Sequence, residues 1–161
     1  MSTTINTKRL YLRPLYKHDS SFILELMNTE GWLRFIGDRN IRSTDDAEKY
    51  IATIQAAPGI TYQVVCRQED NRAIGIITRI QRDYLPGPDI GFAFLDAYEG
   101  HGYAFEAASA VMAQLQGALY AIIDPLNGRS EKLLRRLSFN FDRERDGANG
   151  TDHIYSYRPG T

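Results

Sequence analysis

The residues most able to do chemistry lie together in Asp96-Ala97-Tyr98-Glu99-Gly100-His101-Gly102-Tyr103-Ala104. This segment joins an apolar, strand-like run to a helix-like one. Two glycines one residue apart free the backbone for positive φ and for close approach by a ligand. The N–H groups that follow belong to the first turn of a helix and have no partners within it. With the helix dipole behind them they form an anion site, suited to phosphate. A Walker A loop is excluded, because no Gly-Lys-Ser/Thr opens the helix. A dinucleotide fingerprint needs a third glycine where Phe105 stands. A Gly-x-Gly by itself is equally compatible with a plain structural turn. His18, His101 and His153 are far apart with no ligand spacing, so no metal is expected.

The loop needs a strand before it and a helix after it, and the pattern supplies both. Residues 9–15 alternate large apolar and basic side chains as a half-buried strand that Pro14 stops. Asp19 is placed to cap a helix with Phe22, Ile23, Leu26 and Met27 on one stripe. Residues 32–40 read as a loop or broken helix. Ser43 or Thr44 opens a second helix that buries Ala47, Tyr50, Ile51 and Ile54 and ends at Pro58-Gly59. Residues 61–68 and 73–81 form a hairpin about Asp70-Asn71, and residues 89–95 are a third strand. A helix over 103–116, a strand over 119–124, a short helix through Leu137 and strands near 139–143 and 153–157 complete the chain. Residues 147–150 are a loose connection. The expected fold is α+β: a mixed, mostly antiparallel sheet of about seven strands flanked by about four helices, in one domain over residues 1–161.

Composition narrows the function further. Nineteen basic and twenty acidic residues in 161 leave no basic footprint, which argues against nucleic acid as a partner. A local basic face remains where Arg129, Lys132, Arg135 and Arg136 cluster. Cys66 is the single cysteine, so an internal disulfide is impossible and a reducing cytoplasm is the expected location. Its place in an apolar strand-like run points to packing rather than to a nucleophile. No apolar stretch approaches the roughly 20 residues of a membrane span, and residues 1–9 lack the apolar core of a signal peptide. No membrane partner is expected, and a monomer and a homodimer both remain open.

The wider string Asp89-Ile-Gly-Phe-Ala-Phe-Leu-Asp-Ala-Tyr-Glu-Gly-His-Gly-Tyr-Ala-Phe-Glu-Ala resembles the acetyl-CoA-binding core of the GNAT acetyltransferase superfamily. It is most similar to the branch that contains the ribosomal-protein N-terminal acetyltransferases. Three further segments agree in order: Thr7-Lys-Arg-Leu-Tyr-Leu-Arg-Pro-Leu, Leu33-Arg-Phe-Ile-Gly-Asp-Arg, and Asp124-Pro-Leu-Asn-Gly-Arg-Ser followed by Leu133-Leu-Arg-Arg-Leu-Ser-Phe. The resemblance implies an N-acetyltransferase that moves acetyl from acetyl-CoA to an amine acceptor.

It also implies roles. The pyrophosphate of CoA would rest on the N–H groups of Gly100, His101, Gly102, Tyr103 and Ala104. The pantetheine arm would pair with the backbone of Phe94 and Leu95, with a backbone N–H near Phe94 polarising the thioester. Asn127 would reach in from the other side of the gap. Asp89 is a candidate general base, or simply closes the turn after Pro88. Ser130 is a candidate proton donor to the departing thiolate, or a helix-start residue. Trp32, Arg34, Phe35 and Arg39 are candidates for the acceptor side, with Arg34 or Arg39 available to an acceptor carboxylate. Tyr103 fits the helix–sheet core as well as the pantetheine, and His101 fits solvent as well as phosphate.

Three departures from the family pattern follow. Glu99 stands where glutamine or arginine is usual and is expected to point to solvent. Leu134 replaces the tyrosine that many members use as acid, and Ser138 stands before Phe139 in place of glycine. The missing tyrosine leaves open a second reading, an acyl-CoA-binding module without catalysis that acts as a sensor or interaction domain.

Overall fold

The computed structural model describes residues 4–147 and 150–160. Eight strands and five helices occur among them. The strands are β1 (Ile5–Asn6), β2 (Leu10–Pro14), β3 (Ile60–Arg67), β4 (Ala73–Ile80), β5 (Asp89–Phe94), β6 (Leu119–Ile123), β7 (Asn140–Gly147) and β8 (Gly150–Tyr157). The helices are α1 (Ser20–Leu26), α2 (Glu30–Phe35), α3 (Thr44–Ala56), α4 (Tyr103–Ala113) and α5 (Gly128–Arg136). One sheet holds all eight strands in the order β1-β2-β3-β4-β5-β6-β8-β7. Every neighbouring pair is antiparallel except β5 and β6. The α+β class and the mostly antiparallel sheet agree with the sequence pattern.

The two additional elements are short. β1 is only two residues and pairs with β2. α2 occupies the stretch that reads as a loop or broken helix; Thr29 caps it by accepting from the Trp32 N–H at 3.3 Å. Ser43 caps α3 by accepting from the Asp46 N–H at 3.0 Å, as the pattern predicts. Asp19 does not cap α1. Its carboxylate takes a two-pronged contact from Arg13, at 2.8 and 2.9 Å, and the Tyr16 N–H at 2.8 Å. A charged partner and a local N–H outcompete the helix start for its two oxygens. The hairpin turn is at Asp70-Asn71, where Asn71 adopts φ 58°. Of the connection expected over residues 147–150, residues 148 and 149 lie outside the described part.

Strand alternation divides the interior into a core on each face of the sheet. Leu10, Leu12, Val65, Ile90 and Phe94 pack with Ala107, Ala108 and Val111 of α4 and Leu134 of α5. Val64, Cys66 and Ile76 pack with Ile23 and Leu26 of α1, Trp32 of α2 and Ala47 and Ile51 of α3. α4 and α5 are thus anchored on one face, while α2 is tied to the other. The loop before α4 and the start of α5 meet α2 only where the sheet itself opens.

Candidate active site

The opening lies between β5 and β6. Their register shares one residue pair, Asp89 with Tyr120, and the Tyr120 N–H donates to the Pro88 carbonyl at 2.9 Å. Beyond that point the strands part. A cleft of about 740 Å³ fills the gap, lined by Trp32, Arg34 and Phe35, by Phe92, Ala93 and Phe94, by Glu99, Gly100 and Ala104, and by Asn127, Arg129 and Ser130.

The wall formed by β5 offers backbone polar groups for a definite reason. The Leu95 N–H donates to the Ile74 carbonyl of β4 at 2.9 Å. Backbone groups alternate sides along a strand, so those of Phe94 and Phe92 turn to the gap. Phe94 therefore turns its backbone groups to the gap and lines it, whereas Leu95 spends its N–H on β4 and is not part of the lining.

Gly100 and Gly102 both adopt φ 80°, the left-handed region in which a side chain is strained. A Cβ at Gly100 would meet nothing within 4 Å, so backbone conformation alone calls for glycine there. Gly102 begins α4, with no side chain capping the helix, and its carbonyl accepts the first helical bond from Glu106 at 3.1 Å. The preceding N–H groups keep their donors for something outside the helix.

Glu99 does not point to solvent. It forms an ion pair with Arg129 of α5 across the cleft, because the gap brings the two loops face to face. On the far wall, Asn127 caps α5: its Oδ1 accepts from the Ser130 N–H at 3.2 Å. Ser130 is the hydroxyl that α5 contributes to the lining, while Leu134 is fully buried in the core.

Asp89 sits where the strands part, outside the lining and 6% exposed. Arg82 Nε donates to its Oδ2 at 2.9 Å. Burial raises its carboxyl pKa, against the opposing pull of Arg82 and of the Ile122 backbone N–H. Tyr103 is buried in the core and His101 is exposed; neither lines the cleft. Arg34 lies over the Phe35 ring at 4.8 Å, and Arg39 is exposed on the loop after α2, outside the lining. The Trp32 indole N–H is buried with no protein acceptor among the described residues. No group of His, Cys, Asp and Glu that could hold a metal occurs among the described residues. Nor is any helix among them long and apolar enough to cross a membrane.

A parted parallel strand pair with a glycine-rich helix start on one side has a clear counterpart. Residues 9–140 match the family profile described as acetyltransferase (GNAT) domain. The chain belongs to the GNAT acetyltransferase family. Acetyl-CoA-dependent acetyl transfer is the activity of that family. RimL, a ribosomal α-N-protein acetyltransferase solved in complex with coenzyme A, is similar at 14% identity and TM-score 0.85, covering 97% of this chain and 98% of the other. A GNAT acetyltransferase from Bacillus anthracis is similar at 18% identity and TM-score 0.81, again covering 97% and 98%. A ribosomal-protein alanine acetyltransferase from Vibrio fischeri is similar at 17% identity and TM-score 0.77, covering 97% and 96%. No curated protein sequence matches this chain. The fold is thus shared with ribosomal-protein acetyltransferases.

The sequence pattern misses Arg129 as the partner of Glu99, and Arg9 and Glu106 behind the glycine loop. Arg9 and Glu106 are 97 positions apart, and no local spacing links them.

Proposed function

We propose that this chain transfers acetyl from acetyl-CoA to a primary amine, a protein N-terminal α-amine or a small-molecule amine, by direct attack in a ternary complex. The observation that carries the reading is the parting of β5 from β6 beside a left-handed glycine loop. Phosphate groups suit the N–H groups from Gly100 to the first turn of α4. An extended pantetheine arm suits the gap-facing backbone of Phe94, whose N–H is aimed to stabilise a developing oxyanion, a contribution of about 3 kcal/mol. Trp32, Arg34 and Phe35 offer the acceptor a second entrance from α2. The neutral amine nitrogen attacks the thioester carbon and gives up one proton to water in the gap, or through that water to Asp89. The tetrahedral intermediate collapses with cleavage of the C–S bond, and the thiolate takes a proton. Ser130 is the candidate donor for that proton. Cys66 is fully buried and burial raises its thiol pKa, which supports a mechanism without an acyl-cysteine.

The buried Leu134 in place of the tyrosine favours a second reading, an acyl-CoA-binding module without turnover. Acetyl-CoA consumption with a panel of N-terminal peptides and alkyl amines separates the two. Amine-dependent release of CoA supports the transferase, and tight CoA binding with no release from any amine supports the module.

A further inference from the structure

Arg9, in the turn before β2, touches the glycine loop in a way that the cleft lining does not reveal. Its Nη1 donates to the His101 carbonyl at 2.9 Å and its Nε donates to Glu106 Oε1 at 2.7 Å. Its guanidinium lies over the Tyr103 ring at 4.4 Å, and its Nη2 would be 3.4 Å from a Cβ at Gly102. His101 and Tyr103, on either side of Gly102, are thus both held by one side chain.

Glu106 makes this arrangement necessary. It is in the first turn of α4, where the N–H groups suited to phosphate emerge, and a bare carboxylate there would repel an anion. Its Oε2 accepts from Thr7 Oγ1 at 2.6 Å and from the Arg9 backbone N–H at 2.8 Å. Burial tends to raise its pKa, but the contacts from Thr7 and Arg9 outweigh it and lower the value, so the group is charged at neutral pH. The charge is cancelled by Arg9 and by two N–H or O–H dipoles.

We infer that Arg9 is a positioning residue for the phosphate site: it fixes the loop through the His101 carbonyl and cancels the charge of Glu106 at the start of α4. This rests on the reading of residues 100–104 as the pyrophosphate site. Arg9 is not part of the cleft lining, and its effect passes through the loop and through Glu106.

The control is on the same segment. Arg13 also makes a two-pronged ion pair, but with Asp19 immediately before α1 and not with the loop or α4. Calorimetry with CoA and steady-state kinetics with acetyl-CoA are run on wild type, Arg9→Ala, Arg9→Gln, Arg13→Ala and Arg9→Ala/Glu106→Gln, with Tm measured for each. Arg9→Ala is expected to weaken CoA binding and raise KM for acetyl-CoA about tenfold, with kcat within about twofold. Arg9→Gln keeps an N–H donor for His101 and loses less. Arg13→Ala lowers Tm and leaves the CoA Kd within about twofold. The double variant regains part of the lost affinity, because the uncancelled carboxylate is gone. Unchanged CoA affinity in folded Arg9 variants, or an equal loss in Arg13→Ala, overturns the inference. No recovery in the double variant overturns the charge-cancelling role. A wild-type chain that does not bind CoA sinks the phosphate-site reading and this inference together. If Gly102→Val loses CoA while Arg9→Ala keeps it, the inference alone falls.

Discussion

Glu99 and Arg129 pair across the mouth of the cleft, joining the glycine loop to the first turn of α5. Arg129 is 76% exposed in its side chain, so the pair is worth only about 0.2–1 kcal/mol and opens readily. A phosphate entering the loop competes with Glu99 for the same guanidinium. Glu99→Gln is therefore expected to tighten CoA binding by about twofold to fivefold at low salt, and Arg129→Ala to weaken it similarly. Both effects should fade above about 0.15 M salt. Isothermal titration across a salt series reads this directly, and weaker binding by Glu99→Gln would contradict the competition.

At Gly102 the backbone φ of 80° decides the outcome. The nearest atom to an added Cβ is Arg9 Nη2 at 3.4 Å, so space alone does not forbid a side chain. Conformation does, because a β-branched residue held at positive φ costs about 1–3 kcal/mol. Gly102→Val is expected to shift the loop, keep the fold and abolish measurable CoA binding. Circular dichroism paired with calorimetry checks both halves, and normal affinity in a folded variant would remove the loop from the phosphate site.

Much of this architecture was legible in the pattern because each reading rested on local rules. Period-two alternation marks β2, the turn residues Asp70-Asn71 mark the β3–β4 hairpin, Ser43 or Thr44 marks the start of α3, and two glycines mark the loop. α2 was not, since its six residues carry too few turns for a 3.6-residue stripe. Asp19 looked like a cap and became the partner of Arg13, a tertiary contact overriding a local preference. In the site, Gly100, Ala104, Phe94, Asn127, Ser130, Trp32, Arg34 and Phe35 meet in one cleft, whereas Leu95, Gly102, Tyr103, His101, Asp89 and Arg39 lie outside its lining. Leu95, His101 and Tyr103 flank lining residues in sequence and are turned elsewhere by the local backbone, whereas Asp89 and Arg39 are three residues from the nearest ones, Phe92 and Ile36. The pairs Glu99–Arg129 and Arg9–Glu106 depend on how distant elements pack, and no spacing encodes them.

Cys66 tests the absence of a covalent step. Its side chain is fully buried against the α1–α3 face, and burial raises its pKa, so little thiolate exists at neutral pH. Cys66→Ala is expected to keep kcat within about twofold while losing about 1 kcal/mol of stability. Rapid-quench kinetics measure both the burst and the intermediate. A trapped acetyl-thioester on wild type, with turnover lost in a folded variant, would overturn the direct mechanism.

Asp89 gives stability a distinctive pH dependence. Its folded pKa is raised by burial, so the folded state binds the proton more tightly than the unfolded chain does. The resulting stabilisation is full below the unfolded value, about 3.9, and is lost as pH rises through the raised folded value. Asp89→Asn mimics the protonated form and keeps an oxygen for Arg82 Nε. The stability of the variant relative to wild type should therefore increase from about pH 4 upward through the acidic range. Tm profiles of both proteins test the sign, and a gap that shrinks with rising pH would contradict it.

The same substitution tests whether Asp89 also takes a proton from the acceptor. A raised pKa makes the carboxylate a stronger base, but Asp89 is three residues, roughly 10 Å of strand, before Phe92, where the lining begins. Base duty would therefore run through water in the gap. Attack needs a neutral amine. An α-amine with pKa near 7.8 is about 14% neutral at pH 7, and a lysine-like amine near 10.4 about 0.04%. If Asp89 is the base, Asp89→Asn lowers turnover with an alkyl amine by roughly 10²–10⁴ and leaves acetyl-CoA affinity unchanged. The loss should shrink as pH rises, and it should be smaller for an N-terminal peptide than for the alkyl amine. The measurement is a pH–rate profile of the variant with one acceptor of each kind. Equal, pH-independent losses with both would mean that Asp89 holds β5 and β6 at their point of parting and moves no proton.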